Sequence, residues 1–116
     1  MLIDSITQVT GADRGAVVVT GSHGGLSSGW YAANVAARLY VFNDAGVGRD
    51  RAGVAALADL DRLDLPAVAV THMSARIGDA ADTWARGLVA ESNGAANRIG
   101  ARTGETLRDV VAGLTA

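Results

Sequence analysis

The chain has 116 residues, 49% hydrophobic and 19% charged, with a net charge of −2, a length and balance that give one compact domain and exclude a disordered chain. It has no cysteine, and its ten positive charges are all arginine. That excludes a disulfide framework, a thiolate metal site, a thiol nucleophile, a Schiff-base lysine and a lysine-type phosphate loop. With no basic tract, nucleic acid is not an expected partner. No apolar run reaches the roughly eighteen residues of a membrane span, and the first ten residues lack a signal-peptide pattern. The expectation is a single cytoplasmic α/β domain over residues 1–116, with no membrane partner.

Leu2, Ile3, Ile6 and Val9 fit either a short extra N-terminal strand or one helical turn. The first apolar run, Ala16-Val17-Val18-Val19-Thr20, meets the turn-forming Gly21-Ser22-His23-Gly24-Gly25. Ser27 or Ser28 can then cap a helix to Ala37, with Trp30 and Val35 on its apolar side. The second run, Leu39-Tyr40-Val41-Phe42, meets Asn43-Asp44-Ala45-Gly46-Val47-Gly48. Asp50 can cap a following helix whose Val54, Leu57, Ala58 and Leu60 face inward. The third run, Ala67-Val68-Ala69-Val70-Thr71, meets His72-Met73-Ser74-Ala75-Arg76-Ile77-Gly78-Asp79.

Asp79 is the natural cap of a helix over residues 80–92, with Trp84 and Leu88 four apart on one face. The stretch 92–102 reads as a break or a short helix. Thr103 caps a last helix in which Leu107, Val110, Val111 and Leu114 share a face. Continuous apolar runs of four or five residues suit strands buried on both sides, the mark of a parallel sheet. The order β-α-β-α-β-α-α thus predicts a small three-layer α/β sandwich with a short parallel sheet. Its exposed sheet edges predict a homo-oligomer.

The polar residues concentrate after the strands. In open parallel α/β sheets the carboxyl ends of the strands share one rim, where ligands bind. Gly21, Ser22, Gly24 and Gly25, just before a helix, suit an anion cradle or a plain tight turn. Asn43 and Asp44 suit an Asx-turn or a ligand-facing pair. Asn43-Asp44-Ala45-Gly46 locally resembles the Asn-Asp-Asp-Gly metal site of the stationary-phase survival nucleotidases, with Ala45 in place of the second Asp; the likeness covers this loop alone and is read as convergence. Arg76 offers a planar fork to a carboxylate or phosphate, and Ser74 a hydroxyl beside it.

A Ser-His-Asp triad from Ser22 or Ser74 lacks the G-x-S-x-G elbow. A His-Asp-His metal site from His23, Asp44 and His72 lacks helical ligand spacing, so no metal or other cofactor is the expectation, with a divalent metal as the alternative. Metal-free acid–base work by His72 and His23, with Asp44 orienting and Arg76 holding an anion, makes the fewest demands. The expected function is an enzyme, a lyase, isomerase or hydrolase, acting on a small carboxylated or phosphorylated metabolite. The alternatives are a non-catalytic anion-binding or regulatory module, and a structural subunit of a larger assembly.

Overall fold

The computed structural model describes residues 1–46, 51 and 54–114. In chain order these form β1 (Leu2–Ile3), two 3₁₀ turns (Ile6–Gln8 and Gly11–Asp13), β2 (Val17–His23), α1 (Leu26–Ala32), β3 (Leu39–Asn43) and α2 (Ala55–Arg62). There follow β4 (Ala67–Val70), α3 (Ala80–Arg86), β5 (Val89–Ser92), α4 (Gly94–Arg98) and α5 (Leu107–Ala112). The strands lie side by side in chain order, β1-β2-β3-β4-β5. The first four are parallel, and β5 pairs antiparallel with β4.

Alternation along the apolar runs fills two cores. Val18, Tyr40, Phe42, Ala67 and Ala69 face a layer containing Ala32 of α1 and Leu57 and Leu60 of α2. Val19, Leu39, Val41, Val68 and Val70 face the opposite layer, with Leu107 and Val110 of α5 and Trp84 of α3. Right-handed crossovers between strands laid down in one direction put α1 and α2 on the same face. The other face is covered only because the chain changes sides after β4, sending α3 across β2 and β1. The result is the three-layer α/β sandwich that the apolar runs predict, with the additional N-terminal strand present. Among the described residues no helix is long and apolar enough to cross a membrane.

Five local expectations are corrected. The helix expected over 80–92 stops at Arg86, and Val89–Ser92 is an edge strand. Gly87 makes the break: its amide still bonds Thr83 O, but its backbone then turns extended (φ −61°, ψ 134°). A Cβ there would sit 2.5 Å from Thr83 O and 2.8 Å from Val70 Cγ1. The first helix ends at Ala32 and is capped at Gly25, because Ser28 turns its hydroxyl back to donate to His23 O. Thr106, not Thr103, caps the last helix, accepting from Asp109 N. Trp30 is 67% exposed on α1, and Ala58 points outward while Ala56 is buried. The expected cap Asp50 lies outside the described residues.

One polar side chain ties the two helical layers to the sheet. Asn93, 7% exposed, caps α4 by accepting from Ala96 N (2.8 Å) and also accepts from Ala67 N at the start of β4 (3.1 Å). Its amide nitrogen donates to Leu57 O of α2 (3.1 Å) and to Leu65 O (3.0 Å). A single amide thus bonds four backbone groups, among them the Ala67 N–H at the start of β4 and the Ala96 N–H in the first turn of α4, where ladder and helix partners run out.

Candidate functional site

The parallel strands bring His23, Asn43–Asp44 and His72 to one edge of the sheet: His23 is in register with Asn43, and Asn43 with Val70. At that edge the connection after β3 leads to α2 on one face, and the connection after β4 leads to α3 on the other. The carboxyl edge of the strands is the place where open α/β sheets bind ligands. Asp44 follows one of these two strands and His72 follows the other.

The two side chains meet. His72 Nδ1 lies 3.2 Å from Asp44 Oδ1. The same oxygen accepts from His72 N (2.9 Å) and Gly46 N (2.8 Å), so Asp44 fixes both the ring and the backbone that carries it. Asp44 is 6% exposed, whereas the His72 side chain is 51% exposed. An ionised carboxylate can only accept, so the facing Nδ1 carries the proton, and in the neutral ring Nε2 presents its lone pair. Gly46 lies against the ring; a Cβ there would be 3.5 Å from His72 Cε1. The turn beneath is left-handed at Ala45 (φ 50°) as well as Gly46 (φ 78°). A non-glycine residue in that region stores strain of order 1 kcal/mol, held here by the Asx-turns of Asn43 and Asp44.

The remaining expected site residues divide sharply. Asn43 is fully buried, donating to Ala75 O (3.1 Å) and accepting from Ala45 N (2.8 Å), and so builds the rim rather than facing it. Ser22 accepts from Ile6 N (2.9 Å), and Ser74 donates to Thr71 O (2.8 Å) while accepting from Leu88 N (2.9 Å). Neither hydroxyl bonds an imidazole, so no nucleophilic triad is assembled. Gly21 approaches the chain itself: Gly78 N donates to Gly21 O, and a Cβ at Gly21 would overlap the backbone of Gly78 and Asp79. Gly24 donates to Asn43 O, and Gly25 is the helix cap. His23 is exposed one strand away from the pair. Among the described residues no three His, Cys, Asp or Glu side chains are grouped to hold a metal ion.

Beside His72 lies an open depression of about 320 Å³, lined by residues 72–76 and by Arg86. Arg86 is a lining residue that sequence reasoning missed; its i, i+4 spacing from Asp82 is the legible signal, but the spacing alone reads as a solvated helix pair. Asp82 accepts from Arg86 Nε (2.7 Å) and Nη2 (3.1 Å), and also from Arg76 N (2.7 Å). The Arg86 hydrogen bond, joined by that from the Arg76 backbone, holds the Asp82 carboxyl below the usual carboxylate range.

These features define a three-layer α/β domain with a carboxylate-oriented histidine at the divergence of two strand connections and an arginine-lined depression next to it. Comparison with protein-family models, curated proteins and solved structures finds no match to this chain.

Proposed function

We propose that the protein is an enzyme that moves a proton to or from a small anionic metabolite at the carboxyl edge of its sheet. The observation that carries this reading is the Asp44–His72 pair at the carboxyl ends of β3 and β4. His72 is the proton carrier, through Nε2; Asp44 is a positioning residue that sets the tautomer and the orientation of the ring. Arg76, whose guanidinium has no ion-pair partner within salt-bridge distance among the described residues, holds the substrate's anionic group. With Ser22 and Ser74 engaged internally, isomerase or lyase chemistry fits better than serine hydrolysis.

A proton-exchange assay tests the reading whatever product is formed. The protein in D₂O is incubated with a panel of 2-oxo and 2-hydroxy carboxylates and followed by proton NMR. The expected result is loss of a C–H signal α to a carboxyl or carbonyl group, a loss that vanishes in His72→Gln. No exchange with any member, while ligands still bind, would replace this reading with the anion-binding module. The 51% exposure of the His72 side chain favours that second reading, since catalytic proton transfer is helped by excluding water.

A further inference from the structure

We infer that the depression beside His72 takes a small dicarboxylate, one carboxylate on Arg76 and the other on the outer face of Arg86; this rests on the reading of His72 above and names its substrate class. The two guanidinia come from different elements, Arg76 from the loop after β4 and Arg86 from the last turn of α3. Asp82 makes them one unit, because a single carboxylate oxygen accepts both from Arg76 N and from Arg86 Nη2. The Nε and Nη2 edge of Arg86 is occupied by Asp82, which leaves Nη1 to donate into the depression lined by His72, Ser74 and Arg76. Planar forks of this kind match carboxylates.

A phosphate group is disfavoured for a separate reason. Phosphate sites are built on convergent backbone N–H groups, and three of the five in the loop lining this depression, residues 72–76, are engaged. Arg76 N donates to Asp82, Ser74 N to Thr71 and His72 N to Asp44. The guanidinia of Arg76 and Arg86 supply the positive charge that meets an anion. The volume, about 320 Å³, is at the small end of ligand pockets and suits a chain of a few carbons between two carboxylates.

Binding of succinate, acetate and inorganic phosphate to the whole protein, followed by amide chemical shifts, tests this. Succinate is expected to shift the amides of residues 72–76 and 86, and to bind at least tenfold more tightly than acetate or phosphate. Arg86→Gln is expected to weaken succinate at least tenfold with little effect on acetate, and Arg86→Lys to fall between. Unchanged melting temperatures would show that the variants are folded, as the exposed position of Arg86 leads us to expect. Tighter phosphate than succinate binding, succinate binding indifferent to Arg86→Gln, or no succinate binding would each overturn the dicarboxylate assignment. The exchange assay with His72→Gln is independent of these outcomes, so it separates failure of the ligand class from failure of the proton-transfer reading.

Discussion

Replacing Asn93 with alanine is expected to cost more stability than any surface change in this chain. The substitution removes four hydrogen bonds, to Ala67 N, Ala96 N, Leu57 O and Leu65 O. It introduces no compensating apolar contact. A hydrogen bond contributes about 1 kcal/mol net, and a buried partner left unpaired costs about 1–3 kcal/mol. Water reaching the less buried carbonyl would recover part of this, so the expected loss is about 3–5 kcal/mol. A domain of this size has a total stability of roughly 6–17 kcal/mol, so the variant should remain folded but fragile, melting about 12–25 °C lower.

Asn93→Asp separates hydrogen bonding from shape. The carboxylate keeps the acceptor facing Ala67 N and Ala96 N, but it turns an anionic oxygen toward two carbonyls. At neutral pH it should be at least as destabilising as alanine and should recover partly in acid, where the protonated form can donate. Urea unfolding with unchanged slope is the assay. A loss below about 1 kcal/mol for Asn93→Ala would refute the reasoning, because the four backbone groups would then be satisfied without the amide.

Four further outcomes follow from the same geometry. Gly21→Ala should destabilise by about 1–3 kcal/mol and shift the amides of residues 76–79, since its Cβ has no space beside the Gly78–Asp79 backbone; unchanged spectra would contradict this. Burial, with a smaller contribution from Asp13, pushes the Tyr40 hydroxyl from 10.0 up to about 12. The folded state therefore retains that proton where the unfolded chain loses it, and stability should be intact below about pH 10 and fall by up to about 2–3 kcal/mol as pH rises to about 12. Urea midpoints across that range should show this decline in the native protein and not in Tyr40→Phe. The tautomer of neutral His72, read from long-range nitrogen–proton NMR couplings, should be Nδ1–H in the native protein and should lose that bias in Asp44→Ala. With its pKa lowered, Asp82 should stay ionised below the ordinary carboxylate value of 3.8. Hydrogen-exchange protection of Arg76 N should accordingly persist at that ordinary value and be lost only as pH falls through the lowered one.

The sequence made the strands β2, β3 and β4 legible because each is a continuous apolar run buried on both faces. It made the rim legible because parallel topology places the residues after each run at one edge. The strand β5 escaped because Val89-Ala90-Glu91-Ser92 is half-exposed and follows a helix whose Trp84–Leu88 spacing continues a helical period. Gly87 was the visible warning, but a side chain there is forbidden by the Thr83 carbonyl and by Val70 on another strand, and the second is a tertiary fact. The Asp44–His72 contact could be anticipated only as a shared edge. Its distance depends on the Asx-turns of Asn43 and Asp44 and on the left-handed backbone at Ala45, which no propensity favours. Ser22, Ser74 and Asn43 look available in sequence because their partners, Ile6 N, Leu88 N and Ala75 O, lie far along the chain or on its backbone.

Strand order that repeats chain order has a consequence for how the molecule is made. Each new strand joins the free edge left by the one before it, and none must be inserted between two that are already paired. The sheet can therefore grow as the polypeptide emerges during synthesis, by accretion at a single advancing edge. Until β5 arrives to pair with β4, that edge offers unpaired β4 backbone to any other chain nearby. Among the described residues the one antiparallel strand comes last, and the segment that bonds Val89 through Glu105 O and Gly104 N covers its start, which blunts the growing edge.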